Sequence, residues 1–97
     1  MADKQPAVYI LASKRNGTLY VGVTSNLRAR IWQHKSNIVP GFTSKNRVHG
    51  LVWYETTDSM ESAIGREKQI KGWTRRKKIK LIESSNRHWK DLFDEIC

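Results

Sequence analysis

The chain is nearly devoid of cysteine: Cys97, its final residue, is the only one. An intrachain disulfide is thereby excluded, and so is a zinc site built on cysteine pairs. A chain without disulfides suits a reducing compartment, so the expected location is cytoplasmic. Apolar runs long enough to cross a membrane are also missing, and residues Met1–Pro6 lack the apolar stretch of a signal peptide. Acidic residues are scarce beside basic ones, with 9 Asp and Glu against 18 Lys and Arg, a formal charge of +9. That imbalance points to a polyanionic partner, most often nucleic acid, and says nothing about catalysis. Repeats and low-complexity tracts are absent. With 97 residues, 38% of them hydrophobic, the expectation is one domain over residues 1–97 with a small core, residues 1–6 forming a flexible tail.

What is present concentrates in Thr18–His34, TLYVGVTSNLRARIWQH. Leu19 and Val21 alternate with Tyr20 at the period of a half-buried strand, and Gly22 leaves room for a close approach at its end. Thr24, Ser25 and Asn26 are helix-capping types, and the helical spacing of Leu27 and Ile31 predicts a helix over Ser25–Lys35. On that helix Arg30 and His34 lie one turn apart on one face. Upstream, Ala7–Ala12 (AVYILA) reads as a strand covered on both faces, and Asn16-Gly17 is a hairpin signal between the two runs. Tyr9 and Tyr20 are therefore expected on adjacent antiparallel strands.

Downstream, Ser36–Asn46 reads as a loop containing Pro40-Gly41, and Leu51–Thr56 as a third strand. Asp58 with Glu61 resembles a capping box. Beyond it Met60, Ala63, Ile64 and Ile70 share one helical arc with Glu67 inside it. A carboxylate in an apolar stripe is costly unless paired or holding a metal, and the residues alone leave both readings open. Gly72 ends that helix, and Thr74 caps a shorter one over Arg75–Glu83. A final helix capped by Asn86 is predicted from the spacing of Trp89, Leu92, Phe93 and Ile96. The resulting class is α+β: a small, about three-stranded antiparallel sheet surrounded by α-helices.

The ordered set Val8-Tyr9-Ile10, Tyr20-Val21-Gly22, Arg30 and His34, extended by Glu67, resembles the core of the GIY-YIG nuclease superfamily in its small stand-alone bacterial form. Ala7 and Val8 stand where Gly and Ile are usual. The resemblance covers nearly the whole chain and implies a metal-dependent endonuclease that hydrolyses phosphodiester bonds in DNA. Tyr9 and Tyr20 would orient or deprotonate water, and Arg30 would meet the phosphate. His34 would relay a proton or bind phosphate, and Glu67 would hold one Mg²⁺ or Mn²⁺. Asn86 resembles a late polar residue near the site in some members. Beside such a site, the basic residues Lys71, Arg75, Arg76, Lys77 and Lys78, with Lys45 and Arg47 in the loop, become candidates for contact with the nucleic-acid backbone. The alternatives are a non-catalytic nucleic-acid-binding module on the same fold and a basic, ribosome-associated structural protein. His49 and His88 match no motif.

Overall fold

The computed structural model describes residues 5–36 and 48–96. Pro40, Gly41, Lys45, Asn46, Arg47 and Cys97 lie outside the described residues. The described chain runs β1 (Ala7–Ala12), β2 (Leu19–Thr24), α1 (Leu27–Lys35), β3 (Gly50–Thr56), α2 (Met60–Lys71), α3 (Arg75–Ser85) and a short 3₁₀ turn (Leu92–Glu95). The sheet is antiparallel in the order β2-β1-β3. The architecture is α+β, as the sequence implies.

β1 is the central strand, and every residue in it is buried, which explains its unbroken apolar run. Its alternation feeds two clusters. Val8, Ile10 and Ala12 pack with Val21, Ile70 and Ile82 on one face, whereas Ala7, Tyr9 and Leu11 pack with Leu27 and Ile31 of α1 on the other. The β1–β2 turn is tight: Asn16 adopts φ 58°, a left-handed conformation that asparagine tolerates. Arg75 at the start of α3 donates from Nη2 to the Asn16 and Gly17 carbonyls at 2.7 and 2.6 Å, tying helix to hairpin.

β3 carries an irregularity. Ile10 faces Trp53 and Leu11 faces Leu51, so Val52 is one residue in excess, as in a β-bulge. Helix caps follow local chemistry. Asn26 Oδ1 accepts from the Ala29 N–H at 3.2 Å, and Thr74 Oγ1 accepts from the Lys77 N–H at 3.2 Å. α2 starts one residue later than a cap at Asp58 requires: Ser59 Oγ takes the Ser62 N–H at 3.1 Å, so the Asp58–Glu61 capping box does not form. Ile64, expected within the buried arc of α2, is 38% exposed, while Ala63 and Ile70 are fully buried.

The predicted final helix is absent. Asn86 caps the C-terminus of α3, Trp89 takes φ 58°, and only the 3₁₀ turn follows. The reason is local competition for backbone groups. Asn86 Oδ1 accepts from the Lys90 N–H at 2.9 Å, and its Nδ2 donates to the Lys90 carbonyl at 2.8 Å and the Val52 carbonyl at 3.0 Å. These bonds turn the chain back onto β3 instead of letting a helix propagate.

Candidate functional site

The site is built where β1, β2 and α1 meet. Tyr9 lies opposite Gly22, and Tyr20 lies opposite Leu11 on the next strand, so the two tyrosines sit diagonally on one face. Their ring centroids are 6.4 Å apart. Gly22 is needed here because a Cβ would stand 2.5 Å from Cζ and Oη of Tyr9 and 3.0 Å from Cε2 of Tyr20. The room left by the glycine is therefore filled by the end of Tyr9, rather than standing open beside Tyr20.

The entry to α1 fixes the direction of its functional face. Thr24 Oγ1 accepts from the Asn26 N–H at 3.0 Å and donates to the Asn26 carbonyl at 3.2 Å, and Asn26 then caps the helix. From that start the helix brings His34 under the tyrosines, with ring centroids 5.9 Å from Tyr9 and 5.6 Å from Tyr20. A histidine on a short helix is more often a surface residue, yet His34 is only 2% exposed. Its Nε2 lies 3.1 Å from Tyr9 Oη. Either neutral tautomer satisfies this bond: with Nδ1 protonated the phenol donates, and with Nε2 protonated the ring does.

Electrostatics reinforce the pairing. Burial raises the Tyr9 pKa well above the ordinary phenol value, and Tyr20 and the carboxylate of Glu67 push the same way against the opposing pull of Arg30. Burial lowers the pKa of His34, and the charges of Arg30 and His49 lower it further. Both partners are thus held neutral at neutral pH. Arg30, one turn before His34, bears on both groups. His49 was missed by motif reasoning; it precedes β3 in the chain, and its charge reaches His34.

Glu67 is on α2, which packs against β2 and β1, and its side chain is 14% exposed. Its Oε2 is 2.8 Å from Lys71 Nζ one turn later. No group of three or more His, Cys, Asp or Glu side chains suited to a metal occurs among the described residues. A single carboxylate still fits a hard divalent cation such as Mg²⁺, which retains most of its water and takes further oxygens from phosphate. Lys71 already provides Glu67 with a cation partner.

The basic residues divide. Lys71 pairs with Glu67, Arg75 holds the hairpin carbonyls, and Lys77 Nζ stands 4.4 Å over the Trp73 ring. Arg76 is exposed and Lys78 half-buried. Lys45 and Arg47 are outside the described residues. Asn86 is 5% exposed, and its amide is engaged with Lys90 and Val52, so its visible work is holding the tail. No described helix is long and apolar enough to cross a membrane.

Fold and side chains together describe a small α+β domain in which two tyrosines and a histidine meet on one face of the sheet, with the charges of Arg30 and Glu67 acting on Tyr9. Comparison with known families supplies the particular. The family model of the GIY-YIG catalytic domain matches residues 5–80, and the chain belongs to that family. It is 40% identical to a UPF0213 protein of Staphylococcus haemolyticus over 76 residues, which is 78% of this chain and 92% of that one. A UPF0213 protein of Staphylococcus saprophyticus is 36% identical over 75 residues, covering 77% and 90% of the two chains. Among solved structures, the solution NMR structure of a UPF0213 protein from Bacillus halodurans matches with a TM-score of 0.56 and 29% identity, covering 90% of this chain and 92% of that one. Membership of this family suggests nuclease activity on a nucleic acid, and its nucleases generally use divalent metal ions.

Proposed function

We propose that this chain is a metal-dependent endonuclease that hydrolyses phosphodiester bonds in DNA. The observation that carries the reading is the convergence of Tyr9, Tyr20 and His34, with ring centroids 5.6–6.4 Å apart, within the fields of Arg30 and Glu67. Nucleic-acid binding alone needs positive charge and has no use for a buried phenol–imidazole pair.

Each residue then has a distinct task. Arg30 presents a planar fork to two phosphate oxygens and offsets charge building at phosphorus. Tyr20 is the candidate for taking a proton from the attacking water. Tyr9, held protonated by burial, is a poor base; its hydroxyl and the His34 ring instead form a neutral hydrogen-bonded pair that positions water and phosphate beside Tyr20. Glu67 would hold one Mg²⁺ or Mn²⁺, whose Lewis acidity would polarise the phosphate. Lys71, Arg75, Arg76, Lys77 and Lys78, with Lys45 and Arg47, give the electrostatic attraction to the strand. That attraction weakens steeply with salt as counterions are released. The cytoplasm is the expected site of action.

A second reading has one observation in its favour. Glu67 already has a cationic partner in Lys71 at 2.8 Å, so a nucleic-acid-binding module without activity would account for its burial as well. Glu67→Gln separates the two. On the endonuclease reading it abolishes Mg²⁺-dependent cleavage in a panel of duplex, single-stranded, branched DNA and RNA substrates, while fold and DNA affinity persist. If Glu67 serves only as an ion pair, the substitution lowers thermal stability and leaves any cleavage per folded molecule unchanged.

A further inference from the structure

The family match ends at residue 80, yet the chain beyond it makes specific bonds to the elements that build the site. After Asn86 the tail crosses from one face of the sheet to the other. Trp89 packs with the cluster of Val8, Ile10 and Ile82, and its indole N–H donates to Glu83 at 2.7 Å. Leu92, Phe93 and Ile96 then pack against the opposite cluster, the one containing Tyr9, Leu27 and Ile31. Asp91 stands between these two anchorages.

Asp91 makes contacts in three directions. Its Oδ1 accepts from the Leu51 N–H at 3.2 Å, at the irregular start of β3, and from the Phe93 N–H at 3.0 Å, opening the 3₁₀ turn. Its Oδ2 pairs with Lys35 Nζ at the last residue of α1. The same ammonium lies 5.4 Å from the centroid of the Phe93 ring. Lys35 immediately follows His34, so the tether acts on the helical turn that carries the imidazole.

We infer that the tail from Asn86 to Ile96 is a clasp and that Asp91 is a positioning residue, holding the end of α1 through Lys35 so that His34 stays opposite Tyr9. The physical basis is leverage. α1 has only nine residues, too short to be rigid alone, and its apolar side is held by Leu27 and Ile31 toward its beginning and middle. Its last turn is secured by the His34–Tyr9 bond and by the Lys35–Asp91 pair. An exposed ion pair contributes little to global stability. A small displacement of a catalytic group, in contrast, costs a large factor in rate. Asp91 is therefore expected to matter more to the site than to the fold.

The inference rests on the endonuclease reading for its kinetic consequence but not for its structural one, so the test has two arms. Lys35→Met removes the tether while leaving both backbone bonds of Asp91 in place, and Asp91→Asn removes the charge while keeping an oxygen acceptor. In the first arm, ¹⁵N–¹H spectra of the imidazole are recorded on the folded full-length chain. Both variants are expected to move the His34 Nε2 resonance toward that of a solvated imidazole, whereas Lys35→Arg keeps it in place. In the second arm, single-turnover cleavage is expected to fall ~10–100-fold in both variants with DNA affinity unchanged, with Lys35→Arg near wild type. The double variant should be no worse than either single one. An unshifted His34 resonance in Lys35→Met overturns the inference, as does a rate loss matching only the unfolded fraction in thermal melts. A wild type that cleaves nothing sinks the endonuclease reading and leaves the spectroscopic arm to decide the clasp.

Discussion

The two faces of the sheet are built from the same strand and are buried to the same degree, yet they differ in chemistry. Val8, Ile10 and Ala12 meet Ile70 and Ile82 across a contact between aliphatic side chains. Ala7, Tyr9 and Leu11 meet α1 across a contact that includes a phenol hydroxyl and an imidazole. Burying those polar groups is unfavourable unless they are bonded to each other, and even then the net gain is about 1 kcal/mol. An aliphatic pair at Tyr9 and His34 would stabilise so small a core at least as well. The polar face is thus the one shaped by something other than stability, and the glycine that admits Tyr9 belongs to it. The contrast yields a rule for substitutions: changes on the apolar face should act on folding, and changes on the polar face on chemistry.

The largest expected effect lies on the polar face. Tyr20→Phe removes one oxygen atom and should lower the single-turnover cleavage rate ~10²–10⁴-fold, the scale for losing a general base. Tyr9→Phe should cost less, because its hydroxyl is held protonated by burial and pairs with His34. DNA affinity, measured by titration without metal, should survive both. Near-wild-type rates in both variants would return the tyrosines to a packing role and dissolve the contrast between the faces.

Next in size is a change on the apolar face. Ile70 is fully buried among Val8, Ile10 and Ile82. Ile70→Ala should destabilise the fold by ~2–5 kcal/mol in a denaturant melt, through lost transfer energy and a residual cavity. Cleavage per folded molecule should not change. A reduced rate at full folding would mean that the faces are coupled through α2, which carries both Ile70 and Glu67.

Gly22→Ala sharpens the comparison because it strikes stability and geometry together. The added methyl would stand 2.5 Å from the end of the Tyr9 ring, which is enclosed and must shift. A destabilisation of ~1–3 kcal/mol is expected from overpacking. The Tyr9–His34 bond should break, visible as a changed His34 resonance. An unperturbed resonance would show that the ring has slack the geometry does not suggest.

Much of this was legible in the sequence, and the gaps have physical causes. The unbroken apolar run of β1, the Asn16-Gly17 turn and Thr74 as a cap each depend on local chemistry and came out as read. The spacing of Tyr9, Tyr20 and His34 suggested that they converge, and their rings lie 5.6–6.4 Å apart. The tail misled because apolar spacing reports which residues are covered and not by what. Trp89 goes to one face of the sheet while Leu92, Phe93 and Ile96 go to the other, which a single helical stripe cannot do. The burial of His34 was likewise invisible, since it depends on Tyr9 crossing Gly22 from a neighbouring strand. The reach of His49 to His34 is a tertiary juxtaposition without a motif.

The smallest effect is a pH dependence, and it tests the polar face without any assay of cleavage. His34 has its pKa lowered in the fold, by burial first and then by Arg30 and His49, from an ordinary value near 6.5. Between the folded and the ordinary value the unfolded chain binds the proton and the folded chain does not. Stability must then rise with pH across that window. The contribution of His34 is fully present above about pH 6.5 and is lost as pH falls toward the folded value. Tyr9 has the opposite sign at the other extreme: with its pKa raised, the folded chain retains a proton that the unfolded chain gives up above about pH 10, so stability declines there. Denaturant midpoints from pH 5 to 7 should therefore climb for the wild type, and His34→Gln should flatten that slope. A slope that persists in His34→Gln would assign the titration to another group and remove the imidazole from the buried polar pair.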